Sequence, residues 1–150
     1  VGDLEEFGAG AAGRSNATGE VKILQGATPD VNELRAGKGL AEQFGYDVAH
    51  QPTASQLGVQ GKRTADLMVE GIGQVDVYTP VSTNPNVITR AIEAKNNQGT
   101  AVLVQTSISE ADMAAIAART WGKPTAQNIQ TIFFQSTDGS ILRFNRPKGG

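Results

Sequence analysis

Cysteine is absent from the 150 residues, and histidine occurs once. The first absence excludes a disulfide framework and a thiolate metal site. The second excludes a nuclease that uses paired imidazoles as acid and base, and also a metal site rich in histidine. The single histidine, His50, stands just before Pro52. We expect it in a surface or loop position, without a catalytic role.

Long apolar runs are also lacking, since no stretch approaches the roughly 20 residues that span a bilayer. The first residues, VGDLEEFGAGAAGR, do not have the basic and then apolar order of a signal peptide. We therefore expect no stable membrane insertion of this domain. Residues 1–20 are rich in Gly and Ala and predict a flexible lead-in or linker, which indicates excision from a longer polypeptide; residues 21–150 are expected to form one domain.

Charge of one sign is not in excess over most of the chain. The formal net charge is −2, and residues 1–20 hold four acidic residues and one basic residue, which leaves 12 basic and 11 acidic residues for the rest. Such a balance provides no overall attraction to nucleic acid. Any nucleic-acid binding must therefore use a local patch, for which Lys62, Arg63 and Arg90 are candidates, although exposed basic residues are more often solvated surface.

The apolar pattern predicts an α/β domain with a mixed central sheet flanked by helices. Helical spacing marks VNELRAGKGLAEQF, ended by Gly45, and then NPNVITRAIEAKNNQG and SEADMAAIAARTWG, the last capped by Ser109. Strands are predicted at VKILQG, YDVAHQP and TAVLVQTS, and hairpins at TADLMVEGIGQVDVYTP and IQTIFFQSTDGSILRFN. A polar loop is expected up to Lys62. The larger aromatic residues are interpreted as core rather than base-stacking groups: Trp121, Phe133, Phe134 and Phe144.

Several catalytic motifs are missing. The chain has no G-x-x-x-x-G-K-[ST] phosphate loop, no G-x-S-x-G elbow and no G-x-G-x-x-G fingerprint. What remains is a set of carboxylates and one lysine, Glu33, Asp66, Asp76 and Lys95. Converging carboxylates bind hard divalent cations, which activate water and polarise phosphate, and a lysine neutralises charge that develops on phosphorus. For Asp76, the alternative is a solvent-facing position on an edge strand.

A family resemblance rests on the segments GYDVAHQP and KRTADLMVEGIGQVDVYTP, on the helix residues 87–91 and on the strand TAVLVQT. Together these resemble the C-terminal tRNase toxin domain of CdiA-type contact-dependent growth inhibition exoproteins, over about residues 30–146. The family pattern has a helix bearing Glu, a G-Y-x-V strand start, K-P-D-Y, F-D-x-Y-x-P and a helix carrying lysine. Here Thr64 and Ala65 stand where the family has Lys-Pro, and Val75 replaces an aromatic residue.

The resemblance implies a restriction-endonuclease-like PD-(D/E)XK fold. It implies that Asp66 and Asp76 bind a divalent metal ion, Mg²⁺ or Zn²⁺, and that Lys95 assists phosphodiester hydrolysis. Glu33 matches the helix glutamate of the family, and the loop that follows is longer here than in the family pattern. Glu93 forms an E-x-K with Lys95 and is an alternative to Asp76 in that pair and to Glu33 in completing the site. We prefer Asp76 because it lies on a predicted strand, and we interpret Glu93 as a solvated residue on the helix that carries Lys95.

The same resemblance implies a metal-dependent ribonuclease toxin that cleaves tRNA in neighbouring bacteria. It would be the C-terminal part of a secreted, cell-surface exoprotein, act in the cytoplasm of the target cell and be neutralised by a cognate immunity protein. Apart from that complex we expect a monomer. Two alternatives stay open: a DNA-cleaving toxin nuclease, and a noncatalytic protein-binding module whose acidic residues are surface features.

Overall fold

The computed structural model describes residues 18–52 and 65–148. The predicted loop up to Lys62, with Lys62 and Arg63 themselves, and residues 1–17 of the predicted lead-in lie outside the described residues. In chain order the elements are β1 (Val21–Ile23), α1 (Val31–Phe44), β2 (Val48–His50), β3 (Leu67–Val69), β4 (Gly73–Tyr78), α2 (Pro85–Glu93), β5 (Ala101–Gln105), α3 (Glu110–Trp121), a 3₁₀ turn (Pro124–Ala126), β6 (Thr131–Gln135) and β7 (Ile141–Asn145).

The described strands form a seven-stranded sheet in which they lie side by side in chain order. β1 runs parallel to β2, and β4, β5 and β6 run parallel to one another. The pairs β2 and β3, β3 and β4, and β6 and β7 are antiparallel. The predicted mixed α/β sheet is therefore confirmed. No helix within the described ranges is both long and apolar enough to cross a membrane.

Helices pack on both faces of the sheet because the strands are apolar on both sides. Leu103 and Phe133 point towards α1, in a core that also contains Val75. Their neighbours in the chain, Val102 and Phe134, point to the opposite face and belong to the core formed with α2 and α3. Phe133 and Phe134 are buried as predicted, and Trp121 and Phe144 are partly buried against the second core.

Local sequence signals explain where the helices begin and end. Asp30 and Glu33 form a capping box at the start of α1, and Gly45 ends it with a left-handed conformation, φ 73°. Ser109 accepts a hydrogen bond from the backbone N–H of Asp112 at the start of α3. These ends agree with the sequence prediction for α1 and α3.

His50 contradicts its predicted surface position. It lies on β2 with 1% of its surface exposed, and within the described residues neither ring nitrogen has a hydrogen-bond partner. Gly37 of α1 lies directly over it, so that a β-carbon at residue 37 would be 2.8 Å from Nε2 of His50. Burial lowers the pKa of His50 because the charged ring would lose its hydration. The prediction was wrong because the small residue that covers this ring is 13 positions away in the chain.

Candidate active site

The hairpin of β3 and β4 brings two aspartates together. Its antiparallel register pairs Leu67 with Val75, and extending that register by one pair sets Asp66 opposite Asp76. Asp66 directly precedes β3, where its carbonyl accepts a 3.0 Å hydrogen bond from the backbone N–H of Gln51. Directly opposed residues of antiparallel strands have β-carbons about 5 Å apart. The predicted hairpin therefore carries the two acids to one place.

Asp76 is a buried charge in the middle of the sheet. It lies on β4, which has β3 on one side and β5 on the other, and only 3% of its surface is exposed. The alternative of a solvent-facing residue on an edge strand is therefore wrong. Val75 and Val77 belong to the α1-side core, so strand alternation directs the side chain of Asp76 to the face covered by α2 and α3.

Lys95 is the cationic partner of Asp76. Its Nζ lies 2.7 Å from Oδ2 of Asp76 and 5.8 Å from the ring centroid of Tyr78. The sequence predicted that Lys95 lies on the helix. It does not, because α2 ends at Glu93. It lies in the following turn, where its backbone N–H donates to the carbonyl of Ile92 at 2.9 Å. From this turn, the side chain of Lys95 reaches Asp76 and Tyr78 on β4.

Asp66 is held between β4 and α1. Its Oδ2 accepts a 2.9 Å hydrogen bond from the backbone N–H of Val77. The carboxyl of Glu33 also lies within hydrogen-bonding reach of it, as does that of Asp76. Glu33, Asp66, Asp76 and Lys95 thus form a continuous series of contacts, and we call these four residues the carboxylate–lysine cluster.

Both aspartates of the cluster are hard to ionise. Burial raises the pKa of Asp66 to about 6, and the charge of Glu33 acts in the same direction. Burial also raises the pKa of Asp76 to about 6; the ion pair with Lys95 opposes this rise, while the charge of Asp66 adds to it. Like charges removed from water disfavour ionisation. Such a pair attracts a cation, and raised carboxyl pKa values are typical of functional sites.

Glu33 reaches the cluster from the first turn of α1. Its Oε1 accepts a 2.9 Å hydrogen bond from the backbone N–H of Asp30, which is one half of the capping box. Glu33 therefore has a structural role in starting the helix as well as a place beside Asp66.

Two buried glutamines fix that end of α1 to the sheet. Gln105 Nε2 donates to the carbonyl of Asn32 at 2.9 Å and to Oε1 of Gln135 at 2.8 Å, while Thr79 donates to Gln105 Oε1 at 2.6 Å. Gln135 Nε2 donates in turn to the carbonyl of Arg35 at 3.2 Å. The sequence analysis missed these glutamines. Their signal was a single polar residue at the end of each of two apolar runs, AVLVQ and TIFFQ.

Glu93 is engaged elsewhere. Its carboxylate lies 3.4 Å from Nζ of Lys123 and accepts a hydrogen bond from the hydroxyl of Thr125. The structure therefore places Glu33, and not Glu93, beside Asp66. Arg90, one turn before Glu93, is exposed at the surface.

The donor atoms of the cluster suit a hard cation. In the part of the chain that the structure describes, no group of three or more acidic or histidine side chains is arranged to hold a metal ion. Two aspartates nevertheless suffice for Mg²⁺ when water and a substrate phosphate complete its shell. The raised pKa values of Asp66 and Asp76 show that negative charge is costly at both carboxyl groups, and a bound cation would lower that cost.

Comparison with known proteins agrees with this architecture. The family model of the contact-dependent growth inhibition CdiA C-terminal domain matches residues 62–141, which is more than half of the chain. A solved CdiA-CT/CdiI toxin and immunity complex from Burkholderia pseudomallei has a similar fold, with a TM-score of 0.60 and 22% identity over 83% of this chain and 98% of that chain. No curated protein matches the sequence. The chain therefore belongs to the contact-dependent growth inhibition CdiA C-terminal domain family.

Proposed function

We propose that this domain is a metal-dependent ribonuclease toxin that cleaves tRNA in neighbouring bacteria. In this proposal it is the C-terminal part of a cell-surface exoprotein and acts in the cytoplasm of the target cell. Membership of the CdiA C-terminal family supports delivery by contact-dependent growth inhibition. The carboxylate–lysine cluster supports hydrolysis of a phosphodiester.

The contact between Lys95 and Asp76 carries the proposal. A lysine 2.7 Å from a carboxylate that is 3% exposed, with a second carboxylate opposite, is a costly arrangement for a purely structural role. Replacing such a group by apolar residues is often neutral or stabilising. We therefore interpret its presence as functional.

Each residue of the cluster has a chemical role in the proposal. Asp66 and Asp76 would hold a divalent ion, Mg²⁺ or Zn²⁺. When bound, such an ion polarises the phosphate and lowers the pKa of a coordinated water. Lys95 places a positive charge beside the same carboxylates, where it stabilises the negative charge that develops on the phosphate oxygens. Glu33 adds a carboxylate next to Asp66, which favours cation binding and is suited to orient the attacking water.

The proposal includes a restriction-endonuclease-like arrangement of the site. The chain runs from α1 through the β3–β4 hairpin to β5, with acids on the hairpin and a lysine before β5. This order is compatible with a PD-(D/E)XK site.

The similar Burkholderia pseudomallei structure is a complex of a toxin with an immunity protein. We propose that a cognate immunity protein likewise inhibits this domain.

Purified domain incubated with bulk tRNA and, separately, with plasmid DNA tests this function. We expect Mg²⁺ or Zn²⁺ to support cleavage of tRNA, EDTA to abolish it and plasmid to stay intact. Asp76→Asn should cut at least about 100-fold more slowly, because it removes a cation ligand and the partner of Lys95. Glu42→Gln, on the exposed side of α1, is the matched control and should cut like the wild type.

The outcomes separate the alternatives. Cleavage of plasmid but not tRNA would identify a DNA nuclease. Equal toxicity of Asp76→Asn and the wild type, with no cleavage of either polymer, would identify a noncatalytic binding module and contradict the proposal.

A further inference from the structure

A groove of about 580 Å³ lies between α2 and the C-terminal end of α3, outside the carboxylate–lysine cluster. We call it the α2–α3 groove. Three basic side chains line it: Arg90 from the last turn of α2, Arg119 from the last turn of α3, and Lys123 just after α3. Asn86 lies on its wall and accepts a hydrogen bond from Nη1 of Arg119.

The groove brings three basic side chains together in a chain that has no overall excess of positive charge. Lys123 is paired with Glu93 at 3.4 Å. Within the described ranges, neither Arg90 nor Arg119 forms an ion pair. Two exposed guanidinium groups therefore share one groove in a chain whose formal net charge is −2. Unpaired like charges repel, so their proximity points to an anionic ligand.

The lining selects the class of anion. Guanidinium groups present planar pairs of N–H donors that match phosphate oxygens. The lining contains no aromatic side chain on which a base would stack. Arg, Lys and Asn side chains donate to phosphate oxygens, and contacts of that kind are independent of base sequence.

The groove and the cluster lie on the same face of the sheet. Asp76 points to the side covered by α2 and α3, and Lys95 follows α2 by two residues. The carbonyl of Arg90 accepts a 3.1 Å hydrogen bond from the N–H of Ala94, so the groove and the turn that carries Lys95 belong to one rigid helix end. A polynucleotide with one phosphodiester at the cluster would have the groove on the same face of the sheet.

We propose that the α2–α3 groove binds the phosphate backbone of the RNA substrate at nucleotides away from the bond that is cut. This inference rests on the proposed function, since it takes the substrate to be RNA. An acidic protein surface is the competing occupant.

The experiment measures binding of bulk tRNA by fluorescence anisotropy over a range of salt concentrations, in EDTA so that the RNA stays intact. The variants are Arg90→Gln/Arg119→Gln, the charge-conserving Arg90→Lys/Arg119→Lys, and the control Lys22→Gln/Lys38→Gln. The control removes the same charge from exposed positions on β1 and α1. Thermal melting of each variant checks its folding.

Each phosphate contact contributes about one to the slope of log affinity against log salt concentration. The Gln pair in the groove should lower the magnitude of that slope by about two, whereas the Lys pair and the control pair should leave it unchanged. Equal loss in the groove and control variants would overturn the inference, as would no loss in either. Loss of immunity-protein binding with tRNA binding intact would also overturn it, because the occupant would then be a protein.

Failure of the proposed function gives a different result. If the wild type binds tRNA through the groove but cleaves none in Mg²⁺ or Zn²⁺, the ribonuclease proposal fails, and the groove binds the backbone of an RNA that the domain does not cut. If the Gln pair binds and cleaves tRNA like the wild type, the ribonuclease proposal stands and the groove assignment fails.

Discussion

Asp66 and Asp76 are single residues whose burial lowers the stability of the fold at neutral pH. Each has a pKa of about 6 instead of the usual 3.8, because burial disfavours its charge. Between about pH 4 and pH 6 the folded protein therefore binds more protons than the unfolded chain. The free energy of unfolding falls as pH rises through this window, and the cost persists above it.

Asp66→Asn should stabilise the metal-free protein. Asn retains an oxygen that accepts the Val77 N–H, but it carries no charge. We expect the free energy of unfolding to rise by about 1–2 kcal/mol at pH 7.5. The full shift of the Asp66 pKa would correspond to roughly 3 kcal/mol, but Asp66 is partly exposed to solvent, which screens its charge. Urea unfolding in EDTA from pH 4 to pH 8 measures this rise, with Glu42→Gln as the neutral control. A variant less stable than the wild type at pH 7.5 would show that Asp66 is a net stabilising charge.

Substitutions of Glu33 separate its role in the capping box of α1 from its proposed role beside Asp66. Gln replaces Glu in a capping box, whereas Ala does not. Glu33→Gln should therefore keep the free energy of unfolding within about 0.5 kcal/mol of wild type, and Glu33→Ala should lose about 1 kcal/mol. Both should cleave tRNA about 100-fold more slowly, because the carboxylate beside Asp66 is lost. Wild-type cleavage by Glu33→Gln would reduce Glu33 to a helix cap.

At the scale of elements, α1 lies close to β2 because a glycine covers His50. Replacing Gly by Ala at an interior helix position normally raises the free energy of unfolding by about 1 kcal/mol. Here the new β-carbon would be 2.8 Å from a buried ring, and such overpacking costs about 1–3 kcal/mol.

Gly37→Ala should therefore be net destabilising. In a His50→Ala background, where the ring is removed, the same substitution should be neutral or stabilising. A double-mutant cycle of unfolding free energies measures this coupling. If Gly37→Ala stabilises the wild type, then α1 moves freely over β2 and our packing account is wrong.

The elements that were predicted correctly depend on local signals. Helix caps, turn glycines and the spacing of apolar residues predicted three elements: the helix of residues 31–44, the hairpin around Gly71 and the buried strand 101–105. Features that depend on distant partners were missed. The burial of His50 requires Gly37, and the role of Gln105 requires both Thr79 and the carbonyl of Asn32.

The candidate site was predictable to a similar extent. Asp66 and Asp76 meet because a hairpin sets them opposite each other, and that hairpin was visible in the sequence. Lys95 was already a candidate from the set of carboxylates and lysine, and the family resemblance assigned its role. Its position in the turn after α2 was not predicted, since the helical period of residues 87–92 contains nothing that stops the helix at Glu93.

For the whole molecule, the sheet topology explains why the site lies where it does. β4 joins the antiparallel half of the sheet to its parallel half, so Asp76 has the hairpin strand on one side and β5 on the other. The crossover through α2 then returns the chain over the face that Asp76 points to. The acids of the hairpin and the lysine of the crossover meet at this junction.

The rate of tRNA cleavage by Lys95→Met, measured under single-turnover conditions with saturating protein, tests this account most directly. Lys38→Met, an exposed lysine on α1, is the matched control. We expect Lys95→Met to cleave at least about 100-fold more slowly than wild type, because the cation that stabilises the developing charge is gone, while Lys38→Met cleaves at the wild-type rate. Equal rates for Lys95→Met and wild type would contradict the account.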